Sequence, residues 1–293
     1  MSRPANVFSE DYRIDFKVQQ VWSVPHALEF FLLGVGAGLY LFSTWPRPLI
    51  LGQIVAVLAV IAAGLSLLTD LGRPERLWRA LSNLRVSWIS RGALSVFLFL
   101  ASALGGMASR QLNLFPSLSQ FALACELAAS LFALGAMLYP GMVLSSYVSI
   151  PSWNSPMIPL LFFVYSWTTG LAAEWLILLF SGMTDGLGPS LVAGFFLISL
   201  TLISLLTHLG GMARGSVAVR DGFRLLIGGR LSGWFIGGVL SAGLILPLLI
   251  IGSALLHSQI AAVSLFISAI LVLTGGFFFR YCILKVGVYP PLF

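Results

Sequence analysis

Eight apolar runs divide the chain, at residues 24–43, 49–68, 89–108, 119–144, 157–180, 189–208, 233–256 and 260–282. Each is close to the roughly 20 residues that a helix needs to cross a hydrocarbon core of about 30 Å. None shows the period-two alternation of a membrane β-barrel strand. Backbone groups in lipid must be satisfied within the segment itself, so runs of this length predict helices. The pattern predicts an all-α integral membrane protein with eight transmembrane helices. Residues 1–23 are polar, carry Arg3, Glu10, Asp11, Asp15 and Lys17, and predict a surface arm. The run after them contains Glu29 and no small-residue cleavage site, which argues against a signal peptide.

An even number of crossings places both termini on one side, termed side A. Side A then holds the arm, the loops 69–88, 145–156 and 209–232, and the C-terminal tail. Side B holds short turns at 44–48, 109–118, 181–188 and 257–259, none large enough for a domain. Two of the side-A loops are long enough for surface helices or a docking platform. Phe30-Phe31 and Gly38-Leu39 in helix 1 recur as Phe162-Phe163 and Gly170-Leu171 in helix 5. Leu67-Leu68-Thr69-Asp70-Leu71-Gly72 recurs as Leu205-Leu206-Thr207-His208-Leu209-Gly210. These echoes predict two four-helix units of like orientation. The expected organisation is the arm, then helices 1–4 over 24–148, then helices 5–8 with the tail over 149–293.

Composition narrows the class. Hydrophobic residues make up 58% and charged residues 9%, with a mean hydropathy of +0.99. A water-soluble domain carries about a quarter charged residues, so a soluble enzyme is excluded, and disorder is excluded by the hydrophobicity. Sixteen Lys+Arg stand against ten Asp+Glu. Fourteen of the sixteen fall on side A, leaving Arg47 and Arg110 on side B. Basic loops stay inside, which predicts a cytoplasmic side A with both termini inside and removes the need to invoke nucleic acid. Cys125 and Cys282 cannot supply an iron–sulfur cluster, which takes about four Cys. Bis-His ligation of two haems needs four histidines, and this protein has His26, His208 and His257. His26 and His208 both lie near side A and read as helix-end residues, so neither haem nor cluster is expected in this chain.

Ionisable groups within membrane helices are expensive and mark function by default. His26 and Glu29 stand at i and i+3 near the side-A end of helix 1. Asp70 closes helix 2, Arg91 lies in the first turn of helix 3 and Tyr139 in the last turns of helix 4, all on side A. Four successive helices thus offer polar groups at one depth, among Leu and aromatic residues. A quinone head group needs such partners for its two oxygens and a route for two protons. The alternative is that helix ends are simply polar, with Asp70 pairing Arg73 or Arg91. Glu126 and Glu174 lie deeper, on the side-B halves of helices 4 and 5, as stepping stones for protons or as structural hydrogen-bond partners. Gly34-Val35-Gly36-Ala37-Gly38 sits inside helix 1 without a preceding strand, so it reads as close helix packing rather than a nucleotide loop.

Several segments carry specific motifs. They include Pro25-His26-Ala27-Leu28-Glu29-Phe30 with the glycines that follow, and Asp70-Leu71-Gly72-Arg73-Pro74-Glu75-Arg76-Leu77-Trp78. Ser87-Trp88-Ile89-Ser90-Arg91-Gly92-Ala93, Tyr139-Pro140-Gly141, Pro151-Ser152-Trp153-Asn154-Ser155-Pro156 and Phe279-Arg280-Tyr281 with Gly287 complete the set. Together they carry a resemblance, over nearly the whole sequence, to the NrfD/polysulfide-reductase membrane-subunit family. It implies a cofactor-free quinone-binding anchor in a prokaryotic cytoplasmic membrane. It also implies a ferredoxin-like iron–sulfur partner, with a molybdopterin oxidoreductase behind it. The family's quinone positions match His26, Glu29 and Tyr139, and the acid after helix 2 matches Asp70. Better-known members often carry Asn and His where this protein has His26 and Glu29, and Trp where it has Arg91.

The expectation is therefore the quinone- or quinol-binding (menaquinone or ubiquinone) membrane subunit of an oxidoreductase complex of electron transport. Glu29, His26 and Tyr139 would touch the ring, with Arg91 beside them and Asp70 as proton relay. The competing expectations are a proton- or ion-translocating module with Glu126 and Glu174 as carriers, and a purely structural anchor.

Overall fold

A computed structural model describes residues 17–45, 48–70, 83–112, 116–183, 187–257 and 261–290, the side chains of 69–70, 112 and 116–118 excepted. Its helices are α1 (Val24–Thr44), α2 (Ile50–Asp70), α3 (Trp88–Leu112), α4 (Pro116–Ser145), α5 (Met157–Phe180), α6 (Leu187–Ala213), α7 (Val217–Ile227), α8 (Leu246–His257) and α9 (Ala262–Lys285). A π-helical segment, Gly233–Ile245, runs directly into α8, and the two together make one crossing. Eight crossings result among the described residues, as the apolar runs predict. Helices α3 and α6 run several residues beyond their predicted ends, carried by packing rather than propensity: Ser109 in α3 and Leu209 and Met212 in α6 are buried in the added turns.

Local sequence explains several boundaries. Pro25 sits in the first turn of α1, where its missing N–H is not needed. Helix α5 stops at a left-handed Gly182 (φ 66°). There Met183 N–H donates to Leu178 O at 3.0 Å and Gly182 N–H to Leu179 O at 3.3 Å. This closure needs a glycine at its turning point.

Helices α1 and α5 form the centre. Buried residues make up 78% and 72% of their membrane windows, against 39% or less for the other crossings. The two run parallel and meet through residues 132 positions apart in the sequence. Phe30 and Phe162 stand edge to face at 5.8 Å. A side chain at Gly34 would run into Ser166, and one at Gly38 into the backbone of Ser166 and Gly170. Small residues one turn apart let two backbones approach, which is how helices associate where lipid removes the hydrophobic drive. Around this axis, α1–α4 with part of α5 share one buried cluster, and α5–α9 with the first turns of α1 share another. Gly243 and Gly275 make a second close crossing, between the π segment and α9.

On side A the two ends of the polypeptide are tied together. Lys17–Val18 (β1) pairs antiparallel with Val288–Tyr289 (β2). Gln19 is buried, donating to Leu284 O at 2.8 Å and Trp22 O at 2.9 Å. The end of the predicted surface arm is thus part of the fold, and residues 1–16 lie outside the described residues. Trp153 donates to Ile283 O at 2.7 Å and packs edge-on to Trp22. The loop between α6 and the π segment contains α7, whose Ala218, Gly222 and Leu226 are buried one turn apart while Arg220 and Arg224 stay exposed.

Candidate functional site

The side-A halves of α1–α4 enclose a cavity of about 580 Å³. Helix α2 lies along α1 and touches α3 only sparsely, so the space opens between α2 and α3. Its walls are almost wholly apolar: Leu33 from α1, Val60, Ala63 and Leu67 from α2, Ala93, Val96 and Leu100 from α3. The mouth is marked by Leu65 (57% exposed) and Phe97 (60% exposed). In a membrane those side chains face lipid, so the cavity opens sideways into the bilayer. Gly64 stands at the mouth with nothing within 4 Å of the place a side chain would take.

Two lining residues carry polar side chains, Glu29 and Tyr139. The Tyr139 hydroxyl donates to Glu29 Oε1 at 3.2 Å. Helix α1 supplies the carboxylate because Glu29 follows the first turn, on the face turned toward α4. Helix α4 supplies the phenol one residue before Pro140, whose missing N–H leaves the preceding turn without one helical bond. Phe30 stands edge-on to Tyr139 at 6.2 Å, and Phe30 is itself held by Trp22 and Phe162. The pair therefore sits on rigid, packed elements rather than loops.

The other candidates take different places. His26 is one turn nearer side A, half-buried, with its ring 4.8 Å from Trp22, and it does not line the cavity. Three residues turn a helix by about 300°, which leaves His26 and Glu29 near each other without pointing the same way. Arg91 folds back on the turn before α3, donating from Nε to Leu84 O (2.9 Å) and from Nη2 to Arg85 O (2.6 Å), with its guanidinium 4.4 Å over the Trp88 ring. Asp70 ends α2, and its side chain, like residues 71–82, lies outside the described residues.

The deep carboxylates are separately engaged. Glu126 is buried and receives both Nε and Nη2 of Arg110. Sequence reasoning missed this pair: helix 3 was expected to end at 108, which assigns Arg110 to a side-B turn, whereas α3 reaches Leu112 and carries Arg110 alongside α4. Glu174 accepts from Ser190 Oγ at 3.2 Å, and Trp175 donates to the same hydroxyl at 2.9 Å.

Arg280 was also missed as an interior group. It is fully buried in α9, donating to Phe30 O (3.0 Å), Gly276 O (2.9 Å) and Ser166 Oγ (3.4 Å), between the rings of Phe31 and Phe162. A lone Arg in Phe277-Phe278-Phe279-Arg280 was the available signal. His208 is likewise not a helix-end residue: α6 continues to Ala213, and the residue is 4% exposed.

The family model for "Polysulphide reductase, NrfD" matches residues 14–290. The protein is 27% identical to the C chain of polysulfide reductase from Wolinella succinogenes, over 91% of its own length and 94% of that relative. It is 26% identical to a protein NrfD homolog of Haemophilus influenzae, over 82% and 86% of the two sequences. Eight crossings, a cavity among the first four and a family match over nearly the full length lead to one assignment: this is a multi-pass membrane protein that belongs to the NrfD (polysulphide reductase) family.

Proposed function

We propose that the protein is the quinone-reactive membrane subunit of a multi-subunit oxidoreductase, with the side-A cavity as the head-group site. The observation that carries this reading is a single hydrogen-bonded pair, Glu29 with Tyr139, in an otherwise apolar cavity that opens toward lipid. A polar, water-soluble substrate would leave most of its groups unpaired there, and burying such groups costs about 1–3 kcal/mol each. A flat ring with polar oxygens and a long apolar tail matches both the walls and the mouth. A bound quinone supplies a two-electron, two-proton couple. The residues supply the proton chemistry: the Glu29 carboxylate takes or gives a proton, and the Tyr139 hydroxyl orients the carboxylate and bonds to a ring oxygen. Among the lining residues, Glu29 and Tyr139 are the ones with a polar side chain that can exchange a proton with the ring.

The Wolinella relative is named as one component of a reductase, which supports a place in a larger complex. In this reading an iron–sulfur subunit of ferredoxin type docks on side A, close to the cavity, and passes electrons to or from a molybdopterin catalytic subunit. Side A carries β1–β2, α7 and the 145–156 loop, whereas side B has only short turns among the described residues. The competing reading, ion translocation through Glu126 and Glu174, has less support, because each carboxylate is held by a neighbour on side B.

Glu29→Gln tests the assignment. It keeps the size of the side chain and its bond to Tyr139 while removing the titrating group. The complex should assemble normally, with quinol-dependent turnover down about 100-fold, at the lower end of what a positioned acid or base contributes. Wild-type turnover in that variant would overturn the reading.

A further inference from the structure

We propose that Gly92 is a positioning residue for Tyr139: the absence of a side chain on α3 lets the phenol ring lie where its hydroxyl meets Glu29. This rests on the reading of the cavity given above. Gly92 is buried in the second turn of α3, beside the cavity-lining Ala93. A Cβ at that position would fall on the ring of Tyr139, against its Cγ, Cδ2 and Cε2 atoms, far inside van der Waals contact.

The other glycines at the α3–α4 crossing meet different neighbours. Gly105 and Gly106 face Cys125 and Glu126 at 3.3–3.4 Å, ordinary to tight packing, and Gly135 faces the small Ser95. Gly92 alone among them faces a residue of the site. The displaced atoms include Cγ, close to the backbone of α4, so a flexible end cannot simply swing aside. Phe30 stands edge-on to the ring and is wedged between Trp22 and Phe162, so it cannot absorb a shift either. A methyl at 92 must therefore move the ring as a whole. The hydroxyl is already 3.2 Å from Glu29, near the long end of a hydrogen bond, and a displaced ring loses it.

The test compares Gly92→Ala, Tyr139→Phe and the double variant in the purified complex, with a short-chain naphthoquinol as the probe. Gly92→Ala should lower kcat about tenfold or more, toward the value of Tyr139→Phe, with a smaller effect on KM. The double variant should be no slower than Tyr139→Phe alone, because the glycine acts only through the hydroxyl. Multiplying losses would show an independent structural effect and overturn the proposal. Normal turnover in Tyr139→Phe would instead defeat the reading of the cavity itself. An impaired Tyr139→Phe beside a normal Gly92→Ala would defeat only the positioning role. If Gly92→Ala does not assemble, Gly92→Ala with Tyr139→Ala decides: removing the ring restores assembly if the clash is with Tyr139, and failure to restore it overturns the proposal.

Discussion

The Tyr139 hydroxyl lies 3.2 Å from the Glu29 carboxylate, across 110 positions of the sequence, with Glu29 itself 4% exposed. A carboxylate placed at this depth is costly and is kept where it does work. If Glu29 is the base for quinol oxidation, it must be unprotonated to act. The wild-type rate should then rise with pH as Glu29 ionises. The Glu29→Gln variant should lose that rising limb and keep any alkaline one. Profiles of quinol oxidation by membranes carrying the two forms check this, and an unchanged acid limb would remove Glu29 from the proton step.

The mouth of the cavity makes a separate prediction. Gly64 stands at the opening with free space before it, flanked by the lipid-facing Leu65 and Phe97. Gly64→Phe should fill the opening without touching Glu29 or Tyr139. A tailed quinol entering from the bilayer should show KM raised about tenfold with kcat largely kept, the sign of a lost binding step. Equal kcat and KM in wild type and variant would place the entry elsewhere.

The crossings were legible in the sequence because a membrane helix announces itself through length and apolarity alone. Glu29 and Tyr139 were legible for a related reason: polar groups in apolar runs at matching depth on neighbouring helices have few ways to be satisfied except by each other. Depth, however, is only one coordinate. His26 and Arg91 lie at the same end of the bundle as Glu29, within about one turn of its depth, yet His26 packs on Trp22 and Arg91 folds onto the carbonyls of Leu84 and Arg85. Rotation about the helix axis decides that, and it is set by packing. Arg110 was misplaced because helix ends drift by several residues in a sequence reading, whereas Arg280 lay inside the predicted last run and was counted with the tail only because an Arg near a helix end is usually taken to reach water. The echo of Phe30 and Gly38 in Phe162 and Gly170 was visible, but nothing in the sequence says that the echoes face each other.

The Arg110–Glu126 pair predicts a stability effect rather than a catalytic one. Glu126 is almost fully buried, while Arg110 is 43% exposed. Arg110→Ala leaves a carboxylate in the interior without this partner and should destabilise the protein by about 1–3 kcal/mol, discounted for the exposure of the arginine. Arg110→Ala combined with Glu126→Gln should recover most of the loss, because no buried charge remains. Thermal unfolding in detergent measures both, and additive losses would mean that the two side chains act independently.

Orientation is the last prediction. Counting Arg280 with the tail gives fourteen basic residues on side A, but its guanidinium is buried inside α9 and cannot act as a loop charge. Thirteen remain against Arg47 and Arg110, and Arg110 is bound to Glu126. The bias therefore survives the correction, and short basic loops are retained on the cytoplasmic side. Side A, with both termini and the Glu29–Tyr139 pair, should face the cytoplasm. Arg214, Arg220, Arg224 and Arg230 lie around α7 at the surface and would also suit an acidic partner, which would produce the same count for another reason. Reporter fusions separate the two causes. A fluorescent protein fused after Phe293 should be bright, and alkaline phosphatase at the same site inactive. The opposite result would put the termini outside, make the basic loops a docking surface, and require an exported catalytic partner.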